Sequence, residues 1–163
     1  MTVLVALAVN HGALTGPAPA PPGPSGSAGA LGPVAVPAPP SSAAAARGCP
    51  AVISHLPVVL AGRQSRPAQS VSPYVAAWGD PPIVLRCGVP RPVAFVRTSS
   101  LTVVNGVQWL AERRPGAVLW TAVDREVYVE VSVPAAYTSA AVVDLSGALT
   151  QALPARRPQP GPG

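Results

Sequence analysis

The sequence predicts an α+β fold: a mostly antiparallel sheet of about five strands, with an N-terminal and a C-terminal helix packed on one face. Three observations carry this prediction. Val127, Val129, Val131 and Val133 alternate with Tyr128, Glu130 and Ser132, the period of two that marks a strand with one covered face. Asn105-Gly106 stands between two apolar runs, residues 101–104 and 107–110, and this dipeptide accepts the positive φ angles of a two-residue type I′ hairpin. Val142, Leu145, Leu149 and Leu153 recur at helical spacing, which makes one apolar stripe.

The elements follow in chain order. From Cys49 to Leu56, Pro50 suits a first helical turn and Val52, Ile53 and Leu56 share a face, so a short helix is expected there, broken at Pro57. Residues 63–78 are mixed in composition and read as a long connection, closed by the turn Trp78-Gly79-Asp80-Pro81 with Trp78 packed on the core. Residues 83–86 form a short strand bounded by prolines. After the Asn-Gly hairpin, a polar connection over 112–116 leads to a strand over 117–123. Asp124-Arg125 then turns the chain, with a local ion pair, into the alternating strand 126–133. The last helix begins at Thr138 or Ser139, carries Gly147 at a cost of about 1 kcal/mol relative to alanine, and ends at Pro154.

Composition sets the limits of this unit. The 163 residues include 23 Pro and 15 Gly, gathered at the ends, and segments of that kind bury too little apolar surface to offset backbone ordering. The reading is an apolar leader at 1–14, a disordered Pro/Ala/Gly linker at 15–47, the α+β domain at 48–153 and a disordered tail at 154–163. About a hundred foldable residues suffice for a real core. The net charge of +5 does not point to nucleic acid. Arg47, Arg156 and Arg157 fall in the ends, and the remaining eight arginines face six acids without forming a basic stripe.

The apolar run Met1–Val9 is nine residues long, shorter than the roughly twenty that cross a bilayer. It fits the apolar core of a secretory signal, with Ala18-Pro19-Ala20 as a small-x-small cleavage site. No basic residue precedes it, as if the start site were truncated. The expectation is a secreted or membrane-anchored, extracytoplasmic protein on a flexible spacer. Ala46-Arg47-Gly48-Cys49 echoes a lipid-attachment motif, but Arg47 stands where that motif has a small residue.

Cys49 and Cys87 are the only cysteines. In an oxidising compartment they read as one disulfide closing a 38-residue loop, worth about 4 kcal/mol on the chain-entropy model. Two buried free thiols are the alternative reading. Zinc would need two further ligands, and the chain has only His11 and His55. There is no Cys-x-x-Cys pair for redox chemistry, and neither metal nor cofactor is expected.

The segments Val84-Leu85-Arg86-Cys87-Gly88-Val89-Pro90, Val104-Asn105-Gly106-Val107-Gln108-Trp109 and Val123-Asp124-Arg125-Glu126-Val127-Tyr128-Val129 resemble the domain-of-unknown-function family 3515 of exported or membrane-anchored actinobacterial proteins. The resemblance spans about Cys49 to Pro154. It implies a compartment and a fold without an assigned activity.

No recurrent catalytic motif is present: no Gly-x-Ser-x-Gly, no phosphate loop, no Gly-x-Gly-x-x-Gly and no His-Glu-x-x-His. Asp124, Glu126 and Glu130 read as ordinary turn and sheet-surface acids, and His55 as a structural residue. The binding candidates are Arg86, Arg91 and Arg97 around the cysteine strand, with Trp109 and Trp120 on neighbouring strands, a set that could take an anionic envelope component or an envelope partner protein. The expected function is a non-enzymatic accessory or binding domain of the cell envelope. A small hydrolase or thiol enzyme with a site assembled from scattered residues is the competing class.

Overall fold

The computed structural model describes residues 31–162. The leader, and the part of the linker before residue 31, lie outside the described residues. In chain order the elements are β1 (Val34–Ala35), α1 (Ala43–Ser54), β2 (Val59–Leu60), β3 (Arg63–Arg66), β4 (Ala68–Gln69) and β5 (Val75–Trp78). They continue with β6 (Ile83–Val89), β7 (Thr102–Val104), β8 (Val107–Arg114), β9 (Ala117–Ala122), β10 (Tyr128–Pro134) and α2 (Ala140–Ala152). Eight strands form one antiparallel sheet in the order β2-β3-β5-β6-β10-β9-β8-β7, and β1 pairs with β4 in a small parallel ribbon.

The α+β class stands, with eight strands in the sheet instead of about five. Two of the three additional strands, β3 and β5, come from the stretch read as a connection, and β2 lies just before it. Arg63-Gln64-Ser65-Arg66 has no apolar alternation, because β3 lies near the sheet edge and is held by its backbone, Ser65 against Trp78 and Arg66 against Ala77. The β2–β3 turn places Ala61 at φ 47° and Gly62 at φ 74°, a two-residue primed turn with alanine where asparagine is usual. The Ala61 N–H donates to Asp144 Oδ2 of α2 at 2.8 Å, which holds the turn to the helix layer.

Other boundaries move: β6 continues past Arg86 to Val89, and the alternating strand spans Tyr128–Pro134 instead of 126–133. β8 runs to Arg114, paired with Ala117, so the polar residues 112–114 belong to a strand and only Pro115-Gly116 make the turn. α1 starts at Ala43, six residues before the expected first turn. The Ser42 hydroxyl caps it by accepting from the Ala45 N–H at 3.0 Å, and the run Ala43-Ala44-Ala45-Ala46 is strongly helix-forming. Pro50 therefore sits inside the helix. Described residues 31–47 and 154–162 contribute β1, the start of α1 and a C-terminal segment paired to the domain, where flexible flanks were expected.

The core lies between the sheet and both helices. Ile83, Leu85, Cys87, Val107, Trp109, Val129, Val131 and Val133 meet Cys49 and Val52 of α1 and Val142, Leu145 and Leu149 of α2. The alternation of β10 is realised as read, with Val129 and Val131 fully buried and Tyr128, Glu130 and Ser132 half-buried on the second face. That second face is covered in part by the β6–β7 connection, whose Phe95 packs with Leu110 and Val123. Trp78 is buried, and its indole N–H donates to the Pro57 carbonyl at 2.9 Å.

Cys49 and Cys87 form a disulfide with their Cα atoms 5.7 Å apart, well inside the usual span. It ties α1 to β6. Gly88 next to it has φ 90°, and a Cβ there would stand 2.6 Å from the Ala45 Cβ. No helix among the described residues is long and apolar enough to cross a membrane.

Candidate anion-binding groove

Arginines converge at the end of the sheet where β9 turns into β10. Asp124 and Arg125 make that turn, and both side chains are almost wholly buried, 3% and 1% exposed. Arg125 Nη1 lies 2.9 Å from Asp124 Oδ1, a close ion-pair contact without hydrogen-bond alignment at that oxygen. The other carboxylate oxygen, Oδ2, accepts from the Gln108 N–H at 3.0 Å. Arg125 donates to the Asp124 carbonyl at 3.0 Å and to the Gly106 carbonyl at 3.2 Å. Its Nε has no hydrogen-bond partner among the described residues. A buried charge kept this way needs its paired carboxylate, so the expected local ion pair is a fixed part of the interior.

The segment after α2 crosses this turn as a strap. The Arg156 N–H donates to the Asp124 carbonyl at 2.7 Å, and the Gly161 N–H donates to the Phe95 carbonyl at 2.8 Å. Between these anchors the Tyr128 hydroxyl reaches the Gln159 carbonyl at 3.4 Å. Arg156 Nη2 stands 3.2 Å from Glu126 Oε2. From the helix layer, Gly48 lets α1 come close, since a Cβ there would lie 2.9 Å from Glu126 Oε1. Arg47, next in the chain, thus joins the same rim.

Together these elements enclose an open groove of about 600 Å³, lined by Arg47, Arg125, Arg156 and Arg157 with Glu126, Tyr128 and Gln159. Arg47 and Arg157 are exposed and have no ion pair among the described residues. Burial pushes the Tyr128 phenol above its usual pKa, and the positive charge of Arg91 pulls part of that shift back. Arg47, Arg156 and Arg157 are exposed and can offer guanidinium forks to an anion, while Arg125 stays buried on Asp124.

The five residues singled out from the sequence do not assemble. Arg86 faces Glu130, its direct cross-strand partner, and its Nε donates to Glu130 Oε1 at 2.8 Å. Its charge is already matched. Trp109 is fully buried among the core residues, its indole N–H donating to Ser146 Oγ at 2.9 Å. Trp120 pairs with Val131 on the helix-covered side, partly buried against the same core. Arg97 is exposed on the β6–β7 connection. Arg91 is exposed beside the strap, where a Cβ on Gly161 would come within 3.3 Å of its Nη2.

Three of the groove's four arginines lie in Pro/Ala-rich ends, where composition predicts no folded structure. The available signal was charge: both ends carry arginine without any acid. His55 caps α1 with Nδ1 2.8 Å from the Ala51 carbonyl, exposed at the helix end. Both sulfurs are spent on the disulfide, so neither is a free nucleophile while that bond is closed. Among the described residues no three His, Cys, Asp or Glu side chains gather as a metal site.

No curated protein and no solved structure matches the chain. The family model described as a protein of unknown function, DUF3515, matches residues 2–158, nearly the whole sequence, and the chain belongs to that family.

Proposed function

We propose that the protein is an extracytoplasmic accessory domain of the cell envelope that binds an anionic ligand without transforming it. The observation that carries the reading is the groove lined by Arg47, Arg125, Arg156 and Arg157 against the single lining acid Glu126. The Cys49–Cys87 disulfide supports the compartment, because such bonds persist where thiols are not kept reduced. The apolar run at the N-terminus supports export to, or anchoring at, the envelope.

Two measurements on the native protein test this. Intact mass from fractionated cells of its own host should place the protein outside the cytosol, with the mass of two hydrogens gained on reduction. Protein recovered from the cytosol with both thiols free contradicts the compartment. Titration of the full chain with citrate and with pyrophosphate should show saturable binding of at least one, weakened as salt rises. Absence of saturable binding to either contradicts the ligand class.

A further inference from the structure

The groove's charge and shape narrow the ligand. Four guanidiniums and one carboxylate line it, and Asp124 neutralises Arg125 from beneath. The excess is two positive charges. A phosphate monoester carries about −1.5 to −2 at neutral pH, and that range complements the excess. The exposed guanidiniums also arrive from two separate parts of the chain, Arg47 from α1 and Arg156 with Arg157 from the strap, while Arg125 is buried against Asp124. A planar carboxylate is satisfied by one or two forks from one side. Forks from two sides suit the tetrahedral terminal oxygens of a phosphate.

Size adds a second constraint. At about 600 Å³ the groove falls in the range of small-molecule sites, roughly 300–1,000 Å³, and exceeds what a bare phosphate fills. Tyr128 and Gln159 supply a ring and an amide beside the arginines, suited to an organic remainder carrying hydroxyl groups. Glu126, held by Arg156 at 3.2 Å, is the lining acid an incoming anion must displace from its partner.

Resting on the anion-binding reading above, we infer that the groove takes a terminal phosphate or pyrophosphate group borne on a small organic moiety, with the strap supplying half of its arginines. Strap docking and ligand binding are then coupled. The strap is fixed by few backbone hydrogen bonds, so a ligand bridging Arg156 and Arg157 to Arg47 of α1 holds it down.

The test uses the full oxidised chain and pyrophosphate as probe. Calorimetric titration should show one saturable site. The double variant R156Q/R157Q changes two exposed side chains and keeps the strap backbone, and it should weaken binding at least tenfold. The charge-matched control R113A/R114A, at the opposite end of the sheet, should change it less than threefold. Saturating pyrophosphate should slow tryptic cleavage between Arg156 and Arg157 at least tenfold while leaving cleavage after Arg97 unchanged. Vesicles of phosphatidylcholine with phosphatidic acid form a second arm. Retention there that R156Q/R157Q abolishes assigns the phosphate to a lipid headgroup, and binding of soluble pyrophosphate without vesicle retention assigns it to a soluble ester. Equal loss in the two double variants, or unchanged cleavage at the strap, overturns the inference. Citrate binding without pyrophosphate binding overturns it while leaving the anion-binding reading intact, and binding of neither anion removes both.

Discussion

Gly88 and Ala45 approach so closely that a Cβ on the glycine would stand 2.6 Å from the Cβ of the alanine. The same glycine holds φ at 90°, in a region that side chains adopt only with strain. It follows Cys87 directly, so the disulfide and this tight helix–sheet contact share one point. Gly88→Ala must therefore bear both backbone strain and overpacking, with an expected loss of about 2–4 kcal/mol. Urea unfolding of the oxidised variant measures this. A midpoint matching the parent protein would show that α1 does not lie against β6 as described.

Gly147 presents the opposite case. It lies within α2, and a Cβ there meets nothing within 4 Å. Gly147→Ala should stabilise the domain by about 1 kcal/mol through helix propensity alone, seen as a raised denaturant midpoint with unchanged slope.

The Cys49–Cys87 loop spans 38 positions. Opening it by the paired change C49A/C87A should cost about 4 kcal/mol on the chain-entropy model. For a domain of this size that lowers Tm by on the order of 15–30 °C. Differential scanning calorimetry of the two proteins is the check. Equal melting temperatures would mean that the bond adds nothing the core does not already hold.

Tyr128 gives the groove a marker of alkaline pH. Burial raises its phenol above the ordinary value of 10.0, and Arg91 opposes that rise. The sign follows from linkage: a group that holds its proton more tightly when folded contributes stability below its unfolded pKa. That stability is lost as pH rises through the folded value. The absorbance of tyrosinate should thus contain a component appearing above pH 10 that is missing in Tyr128→Phe, with stability falling through the same window.

The central part of the fold was legible because its signals are local. Valines of β10, the Asn105-Gly106 hairpin and the leucines of α2 announce themselves by period and turn chemistry, and each stands where the pattern puts it. The sheet edge was not legible. Arg63-Gln64-Ser65-Arg66 pairs through its backbone, and main-chain pairing at an edge leaves no apolar alternation to read. The groove was hidden for a related reason. Composition marks residues 154–163 as poor in core-forming side chains, yet a strap needs only anchors such as the Asp124 and Phe95 carbonyls. Arg86, Trp109 and Trp120 lie near one another by sequence and strand order. Alternation then placed both tryptophans on the helix-covered face, away from Arg86 and its partner Glu130.

The most direct measurement of the central claim is a map of arginine side-chain N–H resonances during titration of the ¹⁵N-labelled full chain with pyrophosphate. The chain has eleven arginines. The structure predicts saturable shifts centred on Arg47, Arg156 and Arg157, with Arg86, Arg97 and Arg113 unmoved. Shifts centred on Arg86 and Arg97, or spread evenly over all eleven, would contradict it.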